Sequence, residues 1–94
     1  MNTAVDKQVF KDVDKFPKYI QEKFADELEK LKAAATLKEL VNVRHLEGTD
    51  EPYYRMKFGR YRCILYYNAE IDMLEVISIT HRKDAYKKHN LPWR

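Results

Sequence analysis

YYRMKFGRYRCILYY, residues 53–67, is the stretch on which the fold turns. Two runs rich in aromatic and apolar residues flank Gly59-Arg60. Glycine at the first turn position suits a type II′ β-hairpin. A two-residue turn then sets the pairing by counting. Phe58 faces Tyr61, Lys57 faces Arg62, Met56 faces Cys63, Arg55 faces Ile64, and Tyr54 faces Leu65. Side chains alternate across a strand, so the pairs sort onto two faces. Tyr54, Met56, Phe58, Tyr61, Cys63 and Leu65 make a core face. Arg55, Lys57 and Arg62 share the other with Ile64 and Tyr66. Like charges directly opposite each other destabilise a sheet. Placing Lys57 against Arg62 therefore needs a return, and a bound polyanion is the simplest one. A solvated basic face is the alternative.

Outward from the hairpin, the chain divides into helices before it and a further strand after it. Residues 2–6 can form a short first strand. From Lys7 to Lys15, Val9, Phe10 and Val13 recur at helical spacing. Pro17 interrupts and opens a second helix, since proline is tolerated in a first helical turn and disfavoured inside. Phe16, Ile20, Phe24, Leu28, Leu31 and Ala35 form its apolar stripe, with charges opposite, and the helix ends near Ala35-Thr36. The pair predicts an αα-hairpin. Residues 37–52 read mostly as a connector, with Leu37, Leu40, Val43 and Leu46 tucked under the core. After the hairpin, Met73 to Thr80 reads as a strand, with Leu74, Val76, Ser78 and Thr80 on one face and Glu75, Ile77, Ile79 and His81 on the other. A short terminal helix with Asp84 as N-cap can follow. Early helices and late consecutive strands predict an α+β fold, an αα-hairpin packed on one face of a small antiparallel sheet. If the last strand lies antiparallel to residues 61–67, its tip at Thr80 comes level with Tyr61-Arg62, which brings Arg82, with His81 and Tyr86, towards the same patch.

Length and composition bound the rest. Ninety-four residues make one domain, residues 1–94. A 35% charged content argues for solubility, and the apolar runs are too short to span a membrane. MNTAVDKQVF lacks the basic start and apolar stretch of a signal peptide, and Cys63 is the sole cysteine, so a reducing cytoplasm is the expected compartment. One cysteine and three scattered histidines give no metal-ligand set, and no cofactor is expected. The net charge of +3 is unevenly spread. Residues 1–52 hold nine Lys/Arg against eleven Asp/Glu; residues 53–94 hold nine against four. The basic half is the sheet half, which points to an anionic partner.

Tyr54-Arg55-Met56-Lys57-Phe58 with Tyr61-Arg62, followed by Ile79-Thr80-His81-Arg82-Lys83-Asp84-Ala85-Tyr86, resembles the RelE/ParE superfamily of type II toxins, the RelE branch in particular. The resemblance covers nearly the whole chain. It implies a ribosome-dependent endoribonuclease that cuts mRNA in the decoding site and is silenced by a cognate antitoxin in a hetero-oligomer. In that chemistry the ribose 2′-hydroxyl attacks the adjacent phosphate and leaves a 2′,3′-cyclic phosphate. Carried over by position, Lys57 is the base or proton shuttle. Arg62 and Arg82 hold the phosphate, with Arg82 assisting the leaving oxygen, and Tyr86 stacks on a base near the cut. Arg55 stands where some members have lysine. His81 is undecided between general acid and strand-end structural residue. Lys83 and Lys87 add general attraction to RNA. Two other functions fit the same scaffold: a ParE-like inhibitor of DNA gyrase, and a non-catalytic RNA- or protein-binding relative.

Overall fold

The computed structural model describes residues 1–84. In chain order it holds β1 (Asn2–Val5), α1 (Lys7–Val13), α2 (Lys18–Ala33), a 3-10 turn (Leu37–Glu39), β2 (Val43–His45), β3 (Tyr53–Phe58), β4 (Tyr61–Asn68) and β5 (Met73–His81). The strands form one sheet in the order β1-β5-β4-β3-β2. The predicted α+β arrangement of two helices on a sheet is present. The sheet is mixed rather than purely antiparallel, because β1 pairs with β5 in parallel. A fifth strand, β2, lies inside the expected connector and pairs with β3. The proposed terminal helix, with Tyr86 and Lys87, lies outside the described residues.

The hairpin matches its expected register, from Phe58–Tyr61 out to Tyr54–Leu65. Gly59 has φ +59°, and Arg60 is not among the residues of positive φ, the combination a type II′ turn requires. Met56, Phe58, Cys63 and Leu65 are buried, with Tyr54 and Tyr61 packed against them. The helices cover this face. Phe16 meets Tyr61 at a ring-centroid distance of 4.5 Å, and Phe24 meets Phe58 at 6.1 Å.

The helices begin where the sequence places them. The Asp6 side chain accepts a hydrogen bond from the Gln8 N–H at 2.8 Å and caps α1. Pro17 sits at the mouth of α2, whose Ile20, Phe24 and Leu31 are buried. Chain direction changes at Ala34, which leaves the helix in extended conformation and buries its own methyl in place of the expected Ala35. Glu27, on the apolar stripe, is buried as well. No described helix is long and apolar enough to cross a membrane.

One irregularity decides what the open face displays. Between β4 and β5 the register passes from Ile64–Ser78 to Leu65–Val76, leaving Ile77 as an extra residue. Such a bulge re-phases the alternation. Leu74 and Val76 point to the core, yet beyond Ile77 it is Ile79 that is buried there, with Cys63 as its partner. Ser78 and Thr80 thereby join the open face, opposite Ile64 and Arg62. The expected grouping of Ser78 and Thr80 with Leu74 and Val76 is corrected accordingly.

Candidate functional site

The open face of the sheet is built in rows. Cross-strand pairing sets Lys57, Arg62 and Thr80 side by side across β3, β4 and β5. The next row is Arg44, Arg55, Ile64 and Ser78 across β2 to β5. Beyond it come Tyr53, Tyr66 and Glu75, where the two tyrosine rings meet edge-on at 5.0 Å. Two like-charged pairs thus stand directly opposite each other, Lys57–Arg62 and Arg44–Arg55.

The Lys57 N–H donates to the Asn42 carbonyl at 3.1 Å, on the β2 side. Lys57 and Arg62 are therefore a non-hydrogen-bonded pair of the β3–β4 ladder, the kind in which side chains approach most closely. The Arg62 guanidinium is held in place. Its Nη1 donates to the carbonyls of Gly59 at 2.9 Å and Tyr61 at 2.8 Å. Those contacts are neutral, so the positive charge is oriented without being neutralised, and the remaining N–H groups can meet an anion. Among the described residues, Lys30–Glu27 and Lys32–Glu29 form ion pairs, both on α2. Neither pair involves Arg44, Arg55, Lys57, Arg62 or Arg82.

Arg82 follows directly on β5. Its N–H donates to the Arg60 carbonyl at 2.7 Å, which ties this segment to the β3–β4 turn beside Arg62. Arg60 itself is exposed in that turn. His81 faces the other way. It pairs with Tyr61 on the helix-covered side, ring edge to ring face at 5.7 Å. Its Nδ1 accepts from the Lys83 N–H at 3.2 Å. The structure thus separates His81 from the cations with which it was grouped as a catalytic candidate. Lys83 is exposed at the strand end. Tyr86 and Lys87 lie outside the described residues.

Two residues on this face, Arg44 and Thr80, and Arg60 in the adjoining turn are absent from the sequence-based expectation for the site. Arg44 is hidden in the connector because β2 is only three residues long. Arg60 is masked by its turn position. Thr80 is displaced onto the face by a bulge that no Gly or Pro marks. Among the described residues no group of three metal-ligating side chains converges. Of the titratable groups that are clearly perturbed, Tyr53 lies on this face, its phenol pushed upward by desolvation and by Glu51 and Tyr66, and the other two lie elsewhere. Burial pushes the Cys63 thiol upward, and Glu27 adds to that shift. A hydrogen bond to Asp72, 2.7 Å long, raises the Tyr67 phenol.

A family model described as the ParE toxin of the parDE type II toxin–antitoxin system matches residues 4–86. The chain belongs to the RelE/ParE superfamily of type II toxins. This RelE/ParE chain is 33% identical over 87 residues to RelE1 of Methanocaldococcus jannaschii, covering 92% of the one and 94% of the other. Its fold superposes on the RelE–RelB complex of Pyrococcus horikoshii OT3 with a TM-score of 0.72, at 27% identity, covering 86% of this chain and 93% of that one. The RelB–RelE complex of Methanococcus jannaschii gives a TM-score of 0.73 at 23% identity, over 88% and 94% of the two chains. The intact E. coli RelBE complex gives 0.64 at 18%, over 85% and 94%. The last two likenesses concern the fold.

Proposed function

We propose that this RelE/ParE toxin is a ribosome-dependent mRNA endoribonuclease of the cytoplasm, silenced by a cognate antitoxin. One observation carries the reading: Lys57 and Arg62 stand opposite each other on the face that α1 and α2 leave uncovered, and neither takes part in the α2 ion pairs found among the described residues. Repulsion between them is relieved when a phosphate sits across the pair. The Arg62 guanidinium, already fixed on two turn carbonyls, grips the non-bridging oxygens. Arg82, tied to the same turn, reaches the phosphate from the strand end. Lys57 takes the proton from the 2′-hydroxyl as that oxygen attacks phosphorus. The bond from phosphorus to the 5′ oxygen breaks, and Arg82 stabilises the charge that develops there. The proton taken up by Lys57 is returned to that oxygen through solvent, and the products are a 2′,3′-cyclic phosphate and a 5′-hydroxyl. Arg44 and Arg55, one row away, steer the neighbouring phosphates. Tyr86 keeps its proposed stacking role on the resemblance alone. The ribosome supplies an unpaired, extended message, which a small open face needs in order to act.

The antitoxin reading is supported by relatives that were solved bound to RelB. An acidic helix or extended arm is the partner a basic face of this kind favours.

The test adds purified protein to programmed ribosomes and maps mRNA 5′ ends. Cuts within the decoding site are expected with wild type, reduced about 10²–10³-fold by Arg62→Ala, the loss typical of removing one preorganised transition-state donor. Undiminished cleavage by that variant overturns the site. A second reading, inhibition of DNA gyrase, is favoured by the ParE description of the matching family model. Intact mRNA together with trapped gyrase–DNA complexes would establish it instead.

A further inference from the structure

We propose that Asn42, locked by the buried carboxylate of Glu27, is the positioning residue for Lys57. The proposal deepens the nuclease reading, since it takes Lys57 as the proton acceptor. Strand β2 begins only at Val43, so the β2-side edge of Lys57 has no strand residue opposite it. Asn42 fills that gap twice. Its backbone carbonyl accepts from the Lys57 N–H at 3.1 Å, and its side-chain Nδ2 donates to the Lys57 carbonyl at 2.9 Å. Both peptide groups of Lys57 are thus held by one residue.

The amide of Asn42 is itself held. Nδ2 also donates to Glu27 Oε2 at 3.0 Å. Glu27 is 7% exposed, a carboxylate buried on the apolar stripe of α2, and its other oxygen meets Lys30 Nζ at 3.6 Å. Ionised carboxylate and carbonyl oxygens only accept, so the Asn42 NH₂ must face both, and the amide has a single orientation. A buried charge is retained at a cost, and here it connects helix α2 to the backbone from which the Lys57 side chain rises beside Arg62. Misplacing a reacting group by about 1 Å can cost 10²-fold in rate. A device that fixes Cα of the base is therefore worth its desolvation.

The experiment compares wild type with Asn42→Asp, Asn42→Ala, Glu27→Gln and the Asn42→Asp/Glu27→Gln double variant. Asn42→Asp keeps the shape but sets an acceptor against two acceptors. Single-turnover cleavage on programmed ribosomes is expected to fall ~10–100-fold in maximal rate, with half-saturation changed less than about twofold. The double variant is expected to regain part of the loss, because the Glu27→Gln amide can donate where the carboxylate could not. Amide hydrogen exchange supplies a readout that needs no cleavage. Loss of the clamp should speed exchange at Lys57 by about tenfold while the Arg55 and Cys63 amides keep wild-type rates. Should Asn42→Ala fail to fold, the near-isosteric Asn42→Asp carries the test. A folded Asn42→Asp with wild-type cleavage and wild-type exchange at Lys57 overturns the proposal. So does a loss confined to half-saturation. If wild type itself cuts no message, the nuclease reading fails and exchange alone decides: selective acceleration at Lys57 upholds the clamp, and none overturns it.

Discussion

Reversing the charge of Lys57 should stabilise the fold while abolishing its activity. Lys57 and Arg62 are direct cross-strand neighbours in a non-hydrogen-bonded pair, and the Arg62 head is held at the turn. At a charge separation of about 6 Å in a water-like dielectric, two unit charges repel by ~0.7 kcal/mol. That value falls within the ~0.2–1 kcal/mol range of cross-strand pair effects. Lys57→Gln removes the repulsion and should gain a little under that amount. Lys57→Glu replaces repulsion with attraction and should gain ~1.4 kcal/mol. For a domain of this size the larger gain is about 5–10 °C in melting temperature. The Asn42 contacts run through the Lys57 backbone and survive both changes. The assay is thermal unfolding in 0.05 M and 1 M salt. Because screening shortens to ~3 Å at 1 M, most of the gain should vanish there. Either variant should lose message cleavage by at least ~10²-fold. A Lys57→Glu protein no more stable than wild type at low salt refutes the reasoning, as does a gain that persists undiminished in 1 M salt.

Other expectations follow from the same geometry. Arg82→Ala, like Arg62→Ala, should abolish growth inhibition while leaving folding and antitoxin capture largely intact, checked by colony formation and co-purification. Gly59→Ala should destabilise by about 1–3 kcal/mol through backbone strain alone, since φ is +59° and nothing lies within 4 Å of an added Cβ, and urea unfolding reads the loss directly. Cys63 should resist alkylation until the protein unfolds. Its thiol is pushed up in the folded state, so its contribution to stability is complete below the unfolded thiol's value of about 8.5 and is lost as pH rises above it, at up to ~1.4 kcal/mol per unit. Cys63→Ala should flatten that alkaline slope in unfolding curves taken between pH 8 and 10.

The hairpin could be read from sequence because its instructions are local. Gly59 marks the turn, and strict alternation on both sides assigns every side chain to a face. The amphipathic stripe of α2 was legible for the same reason. Glu27 was not, because a charge inside an apolar stripe looks like an error of periodicity until its partner Asn42 is seen fifteen residues away. The parallel pairing of β1 with β5 is a contact across some seventy positions, and nothing within Asn2–Val5 encodes its partner. The bulge at Ile77 was invisible because Ile77 and Ile79 are both apolar, and either suits a core face. That single residue decides that Thr80 stands beside Arg62 and that His81 does not. The cation row itself was predictable from the hairpin register. Its extension to Arg44 required a three-residue strand that composition alone does not announce.

The most direct trial of the central claim is a message carrying one 2′-deoxynucleotide at the position cut by wild type. On programmed ribosomes, the all-ribose message should yield a 3′ fragment end bearing a 2′,3′-cyclic phosphate, and the substituted message should stay whole at that position. Equal cutting of both messages would contradict phosphoryl transfer to the neighbouring hydroxyl across the Lys57–Arg62 pair.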